Sequence, residues 1–363
     1  MVTINMVYQA ALLVVVIAGA IINVQCADDV VTQTNLLFIM FDDLRPELSN
    51  YGRPHVITPN FERLAKRGVT FDYAFTHIAV CNPARDAIMT GLRPDSVGTY
   101  NFQHSYWPHM PFPSQLIRSG YNTAGFGKVN HWEGNDKNIW SYDSWENGWY
   151  EYQGAEWGWM NASTMPDKVK RIEDFRDYEF TTRAIDTLKK MVKEPKYFML
   201  GKLFVWLFNL IMKDDTIGIG YKLPHIAVHM PYKYFEMYKG KSDAWKLTKR
   251  ELRFPLSVSE VSYRCCADGE FKFMNQEGAL RHNRSTRIGD INNAFTEEMH
   301  DEMMMGYLGS ITFLDTQIGR LLDALDELEL WHNITVILSA DHGMHNGEKG
   351  IWEKWTLFEE AVR

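Results

Sequence analysis

The sequence predicts an α/β fold built on a mostly parallel central sheet, and three observations carry that expectation. Residues 35–41 (Asn-Leu-Leu-Phe-Ile-Met-Phe) form an unbroken apolar run that stops at Asp42 and Asp43. Residues 334–340 (Ile-Thr-Val-Ile-Leu-Ser-Ala) form a second run, stopping at Asp341-His342-Gly343. Short runs of this kind suit strands buried on both faces, the condition of a parallel sheet covered by helices. Between them, residues 298–328 place Met303, Tyr307, Leu308, Ile311, Leu314, Ile318, Leu321, Leu322 and Leu325 at helical spacing, so a long helix is expected to pack on the sheet. Ligands of open α/β sheets gather beyond the carboxyl ends of strands. Two strands ending in acidic residues, about 300 positions apart, therefore point to one shared site.

In chain order, the first feature is the apolar run at residues 9–23, near the length of a signal-peptide hydrophobic region and short for a membrane span. Small residues around Cys26 and Ala27 offer a cleavage point, so residues 1–26 are expected to leave and 27–363 to form the mature domain, with no stable membrane span after cleavage. After the first strand, Thr58-Pro59 supplies an N-cap and a proline at the first helical position. That helix is expected to run to about Arg67 and stop at Gly68. Residues 132–170, rich in Trp, Asn, Gly and Tyr, read as an irregular excursion over one face, and a weaker helical pattern covers 172–192. The Met303-Met304-Met305 cluster reads as core filler. No repeat, low-complexity tract or interdomain linker stands out.

A chain of 363 residues with 45% apolar content can bury a large core. A formal charge of −8 argues against a nucleic-acid or membrane-surface binder. It remains compatible with an anionic substrate, because a site needs only a few local cations. Asn161, Asn283 and Asn333 head glycosylation sequons, which fit a secreted or endomembrane protein. Cys26, Cys81, Cys265 and Cys266 imply no disulfide framework.

Asp42, Asp43, Asp341 and His342 would offer hard ligands to a divalent cation, and carboxylates without thiolates suit Ca2+ or Mg2+ better than zinc. Alone, a pair of aspartates after a strand is more often a cap or a solvated turn. A second acidic strand end, with Cys-Asn-Pro-Ala-Arg at 81–85 between the two, makes the metal reading dominate.

The Cys-x-Pro-x-Arg at 81–85 resembles the signature of the sulfatases, in which the cysteine is oxidised to formylglycine. The hydrated aldehyde offers one hydroxyl to attack sulfur and a second to expel sulfate, which serine or cysteine cannot do. The resemblance extends through Phe-Asp-Asp-Leu-Arg-Pro at 41–46, Thr-Gly-Leu-Arg-Pro-Asp at 90–95 and Gly-Lys-Val-Asn-His at 127–131. It continues in Pro224-His225, Leu-Asp-Thr-Gln-Ile-Gly-Arg-Leu-Leu at 314–322, Asp-His-Gly at 341–343 and Trp-Glu-Lys at 352–354, so it spans roughly residues 34–360. The chain is thus similar to sulfatases of the alkaline-phosphatase-like superfamily, and within them to the iduronate branch.

That resemblance implies a mixed, mostly parallel central sheet sandwiched by helices. It implies a metal site of Asp42, Asp43, Asp341 and His342 completed by Cys81 as formylglycine, holding Ca2+ in preference to Mg2+. Arg85 would hold the formylglycine hydroxyl, Lys128 and Lys354 would contact sulfate oxygens, and His131 and His225 would handle protons. The implied substrate is a sulfated glycosaminoglycan or other sulfated sugar, above all the 2-O-sulfate of iduronate. The implied partner is the formylglycine-generating enzyme, and the implied destination is the lysosome or secretion through the endoplasmic reticulum.

The pattern departs from the family at several points. Ala84 stands where serine is frequent, and Leu223 where lysine is frequent. Residues 202–218 interrupt a strand-to-turn connection that closes without a gap when they are removed, and they contain the apolar run 203–212. The segment reads either as a natural loop or membrane-touching flap or, because Gly201-Lys202-Leu203 is what a splice-donor-like GGTAAGTT would encode, as translated intron sequence, a matter transcript sequencing decides. The chain stops at Arg363, where the family goes on to a smaller C-terminal subdomain, so the catalytic domain is expected to be incomplete. Two other functional readings remain. A phosphatase or phosphonate hydrolase on the same scaffold would work with unmodified Cys81. A non-catalytic glycan-binding homologue would bind sulfated glycans without releasing sulfate.

Overall fold

The computed structural model describes residues 34–102, 110–131, 139–141, 171–193, 214–225, 228–247, 297–350 and 352–363. The expected signal segment, Asn161, Asn283, the cysteines other than Cys81, most of 132–170, and residues 202–213 lie outside the described residues.

Strand β1 (Asn35–Asp42) forms the middle of the sheet, with β3 (Asp215–Pro224) on one side and β4 (Ile334–Ala340) on the other. Strand β2 (Asn122–Gly127) pairs with the far side of β3, and all these pairings are parallel. Leu37 stands beside Ile217 and Val336, and Ile39 beside Ile219 and Leu338. The apolar run of β1 is continuous because both faces are covered. Leu37, Ile39 and Phe41 enter the larger core, whereas Phe38 and Met40 enter a second one with Met89, Val129, Ile139 and Trp140.

The larger core is closed by α1 (Pro59–Ala65), α5 (Arg176–Lys193), α6 (Tyr232–Glu236) and the 31-residue α7 (Glu297–Glu327). On the other face, α2 (Cys81–Thr90) contributes Met89, and α4 (Phe112–Arg118) contributes Phe112 after the short α3 (Pro94–Val97). A mostly parallel sheet with helices on both faces is the expected architecture. Met303 and Met304 are buried in the core, as filler. Among the described residues, no helix is long and apolar enough to cross a membrane.

Three local expectations need correction. Strand β4 was read as buried on both faces, but its neighbour among the described residues is β1 alone, and Ile337 is 43% exposed. Apolar content cannot distinguish an edge strand from a central one. Helix α1 ends at Ala65 rather than Arg67, and the chain passes through a turn before Gly68. Thr58 occupies the N-cap position, yet its hydroxyl is spent on Ser49, whose N–H donates to it at 3.0 Å. The cap comes from α7 instead. Asp315 Oδ1 accepts the N–H groups of Asn60 (2.8 Å) and Phe61 (2.9 Å), while Oδ2 accepts from Asn60 Nδ2 (2.9 Å). The weaker helical pattern is realised as one 3-10 turn at Ile172–Asp174 followed by α5. Of the segment expected to interrupt the family pattern, residues 215–218 form the first half of β3 in register with β1 and β2.

Burial pushes the Asp315 carboxyl up to about 6 from its ordinary 3.8. The folded chain therefore holds this proton more tightly than the unfolded one. The contribution to stability is complete below about 3.8 and is lost as pH rises through about 6. Asp315→Ala should destabilise the protein by about 1–2 kcal/mol in urea titration, because two helix N–H groups lose their acceptor. Asp315→Asn retains an acceptor oxygen and should flatten the pH dependence between about 4 and 6, where the Asp315 proton is lost.

Candidate active site

The chemistry-bearing side chains meet at the carboxyl ends of the strands. Asp42 closes β1, and Asp43 turns with a φ of 64°, so two successive carboxylates serve one site rather than opposite faces. Tyr307 of α7 fastens this turn: its hydroxyl donates to Asp43 O (2.9 Å) and accepts from the Arg45 N–H (3.2 Å). Arg45 is anchored in turn between Glu47 (2.9 Å) and Glu348 (2.7 Å). Asp341 follows β4, and its Oδ1 accepts the N–H groups of Asp43 (3.3 Å) and His342 (2.9 Å).

Cys81 is the first residue of α2 and is fully buried. Its Sγ lies 3.1 Å from Lys354 Nζ, 3.3 Å from Asp42 Oδ1 and 3.4 Å from His342 Nε2. Arg85, one helical turn on, shares that face of α2. Its Nε donates to Asp341 Oδ2 at 2.8 Å, while its remaining nitrogens reach the carbonyls of Lys128, Val129 (3.3 Å) and Phe41 (3.5 Å). Ala84 packs fully buried between them in sequence, its N–H bonded to Val80 O at 3.0 Å.

Lys128 arrives from β2 through Gly127, whose φ of 70° turns the chain toward the site. The Lys128 N–H bonds Gly220 O of β3 at 2.7 Å, and any Cβ on Gly220 would collide with the Lys128 carbonyl. Lys128 Nζ pairs with Asp42 Oδ2. Lys354 follows strand β6 (Trp352–Glu353), which pairs with β5 (His345–Asn346), and its Nζ also meets Asp43 Oδ1 at 2.9 Å. His225 follows β3 with Nε2 4.0 Å from Asp43 Oδ2. Asp177 of α5 holds that strand end, accepting the N–H groups of Lys222 (3.1 Å) and Leu223 (3.3 Å). His131 is buried at the margin, its ring 5.0 Å from Phe102.

Burial alone would raise the Asp42 carboxyl, but Lys128, His225, Arg85 and Lys354 hold it well below the ordinary carboxylate range. Asp341 moves the other way: burial raises it, with Asp42 adding to the effect against Arg85. Burial and the Asp42 carboxylate push the Cys81 thiol well above its ordinary value, so unmodified Cys81 is a neutral, weak nucleophile. Burial and then Lys128 push the His131 imidazole down to about 2.

Asp42, Cys81, Asp341 and His342 each present an atom within 4.8 Å of the others, as do Asp42, Asp43, Cys81 and His225. Three of these six donors, Asp42, Asp43 and Asp341, are carboxylates, the ligand type that suits a hard divalent cation. Every residue singled out from the sequence lies in or beside this cluster. Sequence reading missed the residues that hold it: Tyr307, Arg45 and Asp177. Arg45 stood inside a quoted motif, and Tyr307 among the apolar positions of a core helix. Asp177 carried no signal, because its partners are backbone groups.

A family model described as Sulfatase matches residues 34–204 and 212–362. The chain is 30% identical over 349 residues to the Iduronate 2-sulfatase of Mus musculus, covering 91% of this chain and 58% of that protein. A solved Phosphonate Monoester Hydrolase of Agrobacterium radiobacter superposes with a TM-score of 0.66 at 20% identity, over 91% of this chain and 66% of that one. A solved protein in complex with its substrate D-glucosamine-2-N,6-O-disulfate gives 0.61 at 18%, over 90% and 69%. At these identities the two structures establish the fold.

Adding Ca2+ at about a hundredfold excess over its dissociation constant should stabilise the protein by about 2.7 kcal/mol, read as a rise in Tm. Asp341→Asn should remove that rise; a Tm indifferent to Ca2+ and Mg2+ would refute cation binding here. Tyr307→Phe keeps the ring and should cost about 1–2 kcal/mol. It should also shift the Ca2+ midpoint to higher concentration.

Proposed function

The chain belongs to the sulfatase family, and from that premise we propose that it hydrolyses sulfate esters of sugars, with the 2-O-sulfate of iduronate in heparan or dermatan sulfate as substrate. The observation that carries the reading is the setting of Cys81. It sits buried at a helix N-terminus, among Asp42, His342 and Lys354, with Arg85 beneath it. Oxidised to formylglycine by the formylglycine-generating enzyme, this position would supply an aldehyde hydrate, with one hydroxyl for attack and one for release. A divalent cation held by Asp42, Asp43, Asp341 and His342, Ca2+ before Mg2+, would neutralise sulfate oxygens.

The remaining work falls to this chain's own side chains. Lys128 and Lys354 hold sulfate oxygens and oppose the charge that grows as the ester bond breaks. His131, kept neutral by burial and Lys128, stands beside the site to assist proton transfer during elimination of sulfate. His225, beside Asp43, returns a proton to the departing sugar oxygen. Charge balance supports the scheme. Asp42, Asp43 and Asp341 offset Arg85, Lys128 and Lys354, so a dication would leave the site two charges positive, which the sulfate ester monoanion and the attacking oxyanion together neutralise.

The iduronate assignment rests on the mouse relative and on the motifs shared with that branch. Because the chain spans 58% of that relative's length, the whole enzyme's activity belongs to this proposal. The same kinship supports a destination in the lysosome or outside the cell.

The test is expression in eukaryotic cells that carry the modifying enzyme. Peptide mass spectrometry across Cys81 should show a loss of about 18 Da, the thiol-to-aldehyde change. A 2-O-sulfated iduronate disaccharide should release sulfate faster than 6-O-sulfated glucosamine. Cys81→Ala should abolish release, and Lys128→Ala should lower kcat/KM by about a hundredfold or more. Folded protein that retains an unmodified thiol and releases no sulfate would defeat the proposal.

A further inference from the structure

Lys354 is fully buried, yet Trp355, the next residue, is only half-buried and takes a φ of 72°. A tryptophan in the left-handed region is an outlier whose backbone strain the surroundings must hold in place. Its N–H is bonded to Ala79 O at 3.1 Å, on the segment that delivers Cys81. The Trp355 ring meets the half-buried Phe102 edge-on, with centroids 5.3 Å apart and planes at 77°. Phe102 in turn lies 5.0 Å from the His131 ring, at 33°. A half-exposed aromatic pair thus spans from the Lys354 side of the site to the His131 side.

Core packing does not account for this arrangement, because both rings stay within reach of water and a glycine would hold the Trp355 backbone without strain. Two rings set nearly at right angles offer an apolar face braced by an apolar edge beside a cluster of charges, which suits a ligand that is apolar on one face and polar at its edge, as a pyranose is. We propose that Trp355 and Phe102 form an aromatic platform that receives the apolar face of the sugar ring bearing the scissile sulfate. This proposal rests on the sulfatase reading. The platform grips the ring, while the anion is held separately by Lys128 and Lys354.

The test uses the full chain with its Cys81 modification and reads KM for a sulfated monosaccharide, KM for an acyclic alkyl sulfate, and inhibition by inorganic sulfate. Trp355→Leu keeps apolar bulk and should raise the monosaccharide KM about five- to tenfold, with kcat and the other two constants unchanged. Trp355→Phe should restore most of the loss. Trp355→Gly relieves the strain and should hold or raise Tm while losing the same affinity. A monosaccharide KM unmoved in Trp355→Leu, or an equal rise in the inorganic sulfate constant, overturns the platform. If the wild-type chain releases no sulfate from any substrate, the sulfatase reading fails by itself. Calorimetry then compares the monosaccharide with inorganic sulfate: a sugar preference lost in Trp355→Leu upholds the platform, and one that survives removes it.

Discussion

The buried guanidinium of Arg85 is the interaction on which the site depends. From α2 it reaches Phe41 O at the end of β1, Lys128 O and Val129 O beyond β2, and the Asp341 carboxylate beyond β4. One planar group with donors in fixed directions thereby sets the relative positions of three strand ends. A buried ion pair of this kind is weak evidence for stability, since desolvation offsets most of the attraction. Its value here is geometric. Arg85 offsets part of the rise that burial imposes on the Asp341 carboxyl, and Lys128 is aimed because its own carbonyl is held.

Around that centre a second ring of contacts comes from the helices. Tyr307 of α7 closes the Asp43 turn, and Asp177 of α5 holds the end of β3 just ahead of His225. Burial pushes the Asp177 carboxyl up to about 6, so the strand end is held at the expense of an easily protonated acid. Asp315, on the same helix as Tyr307, caps α1 across the core. The long helix α7 therefore contributes both the apolar face of the core and two polar anchors. The side chains of the candidate site are positioned from outside their own loops.

The segment that departs from the family pattern bears on this frame directly. Residues 215–218 lie beside β1 and β2 as the first half of β3, and the second half carries Gly220 and leads to His225. The family match leaves residues 205–211 unassigned. Residues 215–218 of the segment expected to interrupt the pattern thus belong to a strand that leads to the site. Leu223, where the family often carries lysine, is buried and gives its N–H to Asp177, so that position supplies no cation to the site. Among the described residues, the cations around Cys81 and its neighbouring aspartates are Lys128, Lys354 and Arg85.

The sequence by itself determined the central strand and the long helix, and its resemblance to the sulfatases nominated the side chains proposed to react. Each depends on a local property: an apolar run covered on both faces, a helical period, or a residue type that chemistry cannot replace. Arg85 was tied to Cys81 by the motif they share, and the helix that sets them one turn apart on the same face came from the structure. Only the tertiary structure decided that β4 lies at an edge of the sheet formed by the described residues, that Asp315 rather than Thr58 caps α1, and that Tyr307 is an anchor as well as a core residue. It alone brought Trp355 against Phe102 at the margin of the site. Those outcomes depend on which distant groups come together. A hydroxyl, a carboxylate or a ring reads the same in sequence whether its partner is water, a carbonyl some 260 positions away, or another ring.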